Sequence, residues 1–226
     1  MAKMIQMPQS IQAPTGEQRW MYANFTDSFV FTYIMTTRMD IAKQILVRIM
    51  PELENDEIRS IRQEYRLGNA KPEKHIISDI MIRTESGRII VIEMQNRPLP
   101  YLKKRARGYT AVIDSVLLKK GDEKYDLPDV TLIIICGFDP ADRQRYVNDQ
   151  VSYYRTDPDI ETDDGRKVIW LNPKGRKGPV TPELKAFLDY VNGIEVDDEL
   201  CDNIDRAVLE MKRSYIIRRE YMFFTD

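Results

Sequence analysis

The chain has 226 residues, 42% apolar and 31% charged, enough for one good-sized core with an appendage or for two small domains, and too short for a long multidomain machine. Thirty-four Lys and Arg against thirty-six Asp and Glu give a net charge of −2, which excludes a globally basic nucleic-acid coat but not a local basic face. Two cysteines, Cys136 in an apolar run and Cys201 among acids, and a single histidine, His75, exclude a disulfide framework, a Cys/His zinc site and a histidine-based hydrolase triad.

Residues 1–18, rich in Gln, Pro and Met without periodicity, read as a flexible arm. The first residues lack a charged segment leading into an apolar stretch, and no window approaches about eighteen consecutive apolar residues, so neither secretion nor a membrane span is expected. A reducing cytoplasm suits the two cysteines.

From Phe29 the apolar positions Phe31, Met35, Met39, Ala42, Leu46 and Ile49 recur at helical spacing, predicting one helix that Pro51 ends. Residues 58–67 alternate weakly and predict a strand. His75–Arg83 and Arg88–Gln95 are β-branched runs separated by Thr84-Glu85-Ser86-Gly87, a hairpin signal with Gly87 in the left-handed region. Leu102, Ala106, Tyr109, Ile113 and Val116 predict a helix from about Tyr101 to Lys120, stopped at Gly121. Val130–Cys136 is almost continuously apolar, as in a strand buried on both faces.

Residues 139–166 read as irregular, before a short strand at Lys167–Leu171 and a basic loop, Asn172–Pro179. Thr181-Pro182-Glu183 opens a helix that ends at Gly193, and Leu200, Ile204, Val208, Met211 and Tyr215 share one face of a long last helix.

A hairpin centred on Ser86 sets Asp79 opposite Glu93, two carboxylates on one face. Like charges so placed repel, and a cation resolves the conflict. Two carboxylates and a backbone carbonyl, that of Met94, are hard oxygen ligands suited to Mg²⁺ or Mn²⁺. Gln95 shares the face and is placed to orient a water or a phosphate. Lys103, Lys104, Arg105 and Arg107 follow closely, local positive charge that can hold a polyanion.

The order helix, strand, Ile-Ser-Asp79-Ile, Glu93-Met-Gln95, Arg105-x-x-x-Tyr109, apolar strand resembles the PD-(D/E)XK nucleases, in the branch of recombination-promoting nucleases and transposases. Asp27-Ser-Phe29-Val-Phe31 and Arg219-Glu-Tyr221-Met222 resemble segments near the two ends of that branch, whereas Thr32 stands where many relatives carry lysine.

The resemblance implies an α/β, restriction-endonuclease-like αβββαβ core with a mixed central sheet flanked by helices over residues 19–175, and a helical C-terminal extension over 176–226. It implies metal-dependent DNA cleavage linked to recombination, mobile elements or phage, with Asp79, Glu93 and Gln95 as catalytic residues and Asp79, Glu93 and Met94 around Mg²⁺ or Mn²⁺. DNA is then held by Lys103, Lys104, Arg105, Arg107 and Tyr109, and Asp27 and Glu64 are additional acids. Cutting both strands with one site per chain calls for a homodimer.

The alternatives are a nuclease-fold protein that binds DNA or a protein partner without turnover, and a structural α/β protein whose acids are surface pairs. Arg105 and Tyr109 serve equally well to brace the helix, Glu64 reads first as an edge-strand charge, and Lys174, Arg176 and Lys177 read first as a solvated turn, with DNA contact the lesser reading.

Overall fold

The computed structural model describes residues 15–64, 78–118 and 127–225. His75 and the end of the helix expected at Gly121 lie outside them. A capping box between Thr15 and Gln18 opens α1 (Gly16–Tyr22), and Asp27 caps α2 (Ser28–Thr37).

The single helix expected from Phe29 to Pro51 is two, α2 and α3 (Met39–Ile49), because Arg38 leaves helical geometry at φ −117° and ψ 79°. The hydroxyls of Thr36 and Thr37 donate back to the carbonyls of Thr32 and Tyr33, both at 2.7 Å, while Arg38 forks onto the Asp40 carboxylate. These side chains compete for the last turn of α2, and apolar spacing carries no trace of that competition.

The strands are β1 (Ile58–Glu64), β2 (Ser78–Thr84), β3 (Ile89–Gln95), β4 (Val130–Cys136), β5 (Val147–Gln150), β6 (Tyr153–Tyr154), β7 (Asp157–Glu161) and β8 (Arg166–Leu171). Six form one mixed sheet in the order β1-β2-β3-β4-β8-β5, antiparallel through β1, β2 and β3, parallel through β3, β4 and β8, and antiparallel again at β5. β6 and β7 pair separately as a small hairpin. The stretch 139–166 is therefore less irregular than its polar sequence implies: β5 gains its order by pairing with β8, and β6 and β7 are exposed and show no alternating apolar face.

Helices cover both faces. α4 (Leu102–Leu117), the crossover between parallel β3 and β4, packs Leu102, Ala106, Tyr109 and Ile113 against Ile89, Val91, Leu132, Ile134, Val168 and Trp170. The opposite face, with Ile80, Ile82, Ile90, Ile92, Ile133 and Ile169, shares one core with α2 and α3 and with α5 (Pro182–Val191), α6 (Glu199–Lys212) and α7 (Tyr215–Thr225). The expected long final helix is broken at Arg213 and Ser214, so Tyr215 begins α7 and is exposed. The α/β architecture, with a six-stranded mixed sheet between helical layers, is the one the sequence led us to expect.

Candidate active site

Along β3 the even positions Ile90, Ile92 and Met94 enter the core of α2 and α3, and the odd positions Ile89, Val91 and Glu93 face α4. Glu93 is thus carried by strand alternation into an apolar layer, where it is only 3% exposed. A carboxylate so placed needs a countercharge. α4 supplies it: Arg105 Nη2 lies 3.3 Å from Glu93 Oε1, and the guanidinium stacks 5.3 Å from the centre of the Tyr109 ring, one helical turn on.

The buried Tyr109 hydroxyl bonds with both Arg105 and Glu93. Burial, reinforced by the Glu93 charge and only partly offset by Arg105, pushes this phenol well above its ordinary range. Tyr109 therefore stays neutral and donates to the carboxylate rather than acting as a base.

The pairs Ile80 with Ile92, Met81 with Val91, Ile82 with Ile90 and Arg83 with Ile89 are symmetric about Ser86. Gly87, at φ +94°, closes the turn. The paired positions begin at Ile80 and Ile92, one step short of Asp79 and Glu93. Asp79 and Glu64 are described by their backbones alone: Asp79 lies in β2, and Glu64 stands on the edge strand β1 opposite Ser78, one position away.

Met94 buries its side chain on the other face, in the core with α2 and α3. Gln95 follows at the end of β3 on Glu93's face, and its Nε2 donates to the Arg97 carbonyl at 2.7 Å. An amide so held can orient a group and cannot take up a proton at neutral pH. Among the described residues no three His, Cys, Asp or Glu side chains cluster as a metal site. Glu93 is the acid side chain that the structure places at this edge, in contact with Arg105.

Lys103, Lys104 and Arg107 are exposed on the first turns of α4, which starts at Tyr101 (φ 62°) without a side-chain cap. The Lys104 ammonium rests 5.2 Å from the centre of the Tyr101 ring. Asp27 plays a different part: its Oδ1 accepts from the N–H groups of Phe29 and Val30, at 3.0 and 3.3 Å, and its Oδ2 accepts from the Tyr221 hydroxyl. Thr32 is buried within α2.

Residues that sequence reasoning passed over complete the edge. Asn96 Nδ2 donates to the Thr26 carbonyl at 2.5 Å, joining the end of β3 to the residue before Asp27. Gly137 follows β4 so closely against Asn96 that an added Cβ would meet the Asn96 carbonyl oxygen at 2.7 Å. A glycine directly after a buried strand was the available signal. Cys136, paired in register with Gln95, has its thiol pushed up to about 12 by burial, with the Glu93 and Asp139 charges adding to it, so it is inert at neutral pH.

A cavity of about 170 Å³ opens at the other end of the sheet, where Arg88, Asp129, Asp164 and Arg166 mix both signs of charge. No helix among the described residues is long and apolar enough to cross a membrane. The family model described as PD-(D/E)XK nuclease family transposase matches residues 25–172, a span holding Asp79, Glu93, Gln95, Arg105 and Tyr109. No curated protein and no solved structure matches the chain.

Proposed function

Because the chain belongs to the PD-(D/E)XK nuclease family transposases, whose nucleases generally use divalent metal ions, we propose that it is a Mg²⁺- or Mn²⁺-dependent DNA endonuclease working at the Asp79–Glu93 edge, in recombination or the movement of mobile elements. What supports this reading is the hairpin register, Ile80 with Ile92 through Arg83 with Ile89, whose extension by one step would set Asp79 level with the buried Glu93.

Asp79, Glu93 and the Met94 carbonyl are the residues that would hold the cation, which supplies Lewis-acid polarisation of the phosphodiester and acidifies water. The chain's own groups do the rest. Tyr109 and Arg105 fix the Glu93 carboxylate, so that it needs no reorganisation when charge develops. Gln95 orients water or a phosphate oxygen, and Lys103, Lys104 and Arg107 draw the nucleic-acid backbone to this edge.

Incubating supercoiled plasmid with the protein and Mg²⁺ or Mn²⁺ tests the reading. Nicking is expected from the native chain and a loss of at least about 100-fold from Asp79→Asn and Glu93→Gln. Unchanged activity in either variant overturns the assignment.

One observation favours a second reading. Arg105 already neutralises Glu93, and Gln95 stands where PD-(D/E)XK nucleases carry lysine, an arrangement that suits a chain that holds DNA without cutting it. Duplex binding with no metal-dependent cleavage by the native chain selects that reading.

A further inference from the structure

Two loops leave the same end of the sheet as Gln95. Residues 137–146 follow β4, and residues 172–179 follow β8; the parallel pairs Gln95 with Cys136 and Ile135 with Leu171 put all three strand ends level. The loops are bound tightly to each other. Tyr146 donates its N–H to the Lys177 carbonyl at 3.1 Å, Asn172 to the Tyr146 carbonyl at 2.8 Å, and Arg176 and Lys177 both donate to the Gln144 carbonyl, at 2.7 and 2.9 Å. Gln144 and Asp142 take positive φ to make this fit, and Gly175 presses so close that a Cβ there would lie 2.6 Å from the Tyr146 backbone.

This clasp presents Arg143, Arg145, Lys174, Arg176 and Lys177, all exposed and none in an ion pair. Its two acids, Asp139 and Asp142, leave a net positive surface. Asp139 is also committed to the loop, accepting from the N–H groups of Gln144 and Ala141. Bonds between loop backbones pre-order the five cations, so less loop entropy is lost when they meet a ligand.

With neighbouring strands about 4.8 Å apart, β8 lies about 10 Å from β3, within the roughly 12 Å width of a B-DNA major groove. A duplex with one strand at Glu93 and Gln95 would therefore pass phosphates over the clasp.

We propose that loops 137–146 and 172–179 form a second DNA-backbone clamp, separate from the α4 cations, that seats the duplex across the end of the sheet. This rests on the DNA reading above and adds the surface that positions the substrate.

The test measures binding of labelled 20-bp duplexes of two unrelated sequences in EDTA, where nothing is cut, over a range of salt. Lys174→Ala/Arg176→Ala/Lys177→Ala should weaken both sequences alike, at least about tenfold at low salt, and reduce the slope of log K against log salt by about 2 to 3, since each neutralised phosphate contributes about 0.9. Arg143→Ala/Arg145→Ala should act in the same direction, and because the backbone bonds between the loops do not involve these side chains, both variants should keep the native circular dichroism. Arg88→Ala/Arg166→Ala, both lining the cavity at the opposite end of the sheet, should leave affinity and slope unchanged. If the native chain binds duplex and the clasp variants match it in affinity and slope, the clamp is wrong while the DNA reading stands. If the native chain binds no duplex at any salt, both fall.

Discussion

The Tyr221 hydroxyl donates to Asp27 Oδ2 at 3.1 Å, joining α7 to the first turn of α2 across 194 residues. Asp27 thereby holds three groups at once, two helix N–H donors and a phenol, and Trp20 and Phe29 pack their rings against Tyr221, at 5.1 and 5.4 Å between centroids. Its neighbour Thr26 accepts from Asn96, so the C-terminal helix reaches the end of β3 through two hydrogen bonds and a single peptide unit.

Burial pushes the Asp27 carboxyl above its usual 3.8, outweighing the Val30, Tyr221 and Phe29 donors that favour the charged form. A folded value above the unfolded one means the associated stability is complete below pH about 3.8 and fades as pH rises through the folded value. Asp27→Asn keeps a good capping group without the buried charge, so its stability at pH 7 should match or exceed the native chain's and lose this component of the pH dependence. Tyr221→Phe should cost about 1–2 kcal/mol at pH 7 by leaving a buried carboxylate oxygen short of its donor. Urea unfolding at pH 4 and pH 7 measures both, and a Tyr221→Phe chain as stable as the native one contradicts the tie.

Arg105 and Glu93 make a second prediction. Arg105→Ala leaves Glu93 in an apolar layer without its countercharge, and because the Arg105 side chain is 37% exposed the loss should be about 2 kcal/mol, below the 3–5 expected of a fully buried pair. The double variant Glu93→Gln/Arg105→Ala should recover most of it. If Asp79 and Glu93 take a divalent cation, Mg²⁺ should raise the melting temperature of Arg105→Ala more than that of the native chain, because the cation then supplies the missing positive charge. An equal rise in both chains separates Arg105 from the cation site.

What the sequence made legible follows from how local each signal is. The β2–β3 register, Ile80 with Ile92 through Arg83 with Ile89, could be read because one left-handed glycine, Gly87, closes two β-branched runs into a hairpin within seventeen residues or so. α4 and β4 could be read because one is amphipathic and the other wholly buried. The break at Arg38 could not: α2 is apolar on most sides because it sits in the core, and periodicity that is weak cannot show where a helix stops. β6 and β7 are polar and exposed, and so carry no pattern. The Asp27–Tyr221 bond was visible only as two separate motifs, since nothing local relates residues so far apart.

Arg48 ties α3 to the C-terminal helices, its Nη1 donating to the Glu183 carbonyl and its Nη2 to Asp198 Oδ2, both at 2.9 Å. Burial would raise the Asp198 carboxyl, but Arg48 and the Cys201 N–H together hold it below the usual range. The stability from this contact is therefore present above pH about 3.8 and lost as pH falls through the lower folded value, the opposite sense to Asp27. With both side chains largely buried, Arg48→Ala should cost about 3 kcal/mol at pH 7. The difference between the two chains should shrink on acidification to pH 3, as followed by thermal unfolding; a constant difference places the effect in packing alone.

Two glycines separate stability from the function proposed for the end of β3. Gly87 has open space around its Cβ position but takes φ +94°, so Gly87→Ala costs only backbone strain, about 1 kcal/mol, at the end of the hairpin away from Glu93. Gly137 has ordinary φ, but an added Cβ meets the Asn96 backbone oxygen at 2.7 Å and Cα at 3.1 Å, and its own N–H holds the Gln95 carbonyl at 2.9 Å. Gly137→Ala must therefore push Asn96 and Gln95 away from β4, at a cost of about 1–3 kcal/mol. Both variants should lower the urea midpoint, but well below that midpoint Gly87→Ala should nick plasmid at the native rate while Gly137→Ala loses at least about tenfold, because small displacements of positioning groups are expensive in rate. Equal rates for the two folded variants would remove Gln95 and Asn96 from the positioning of the substrate.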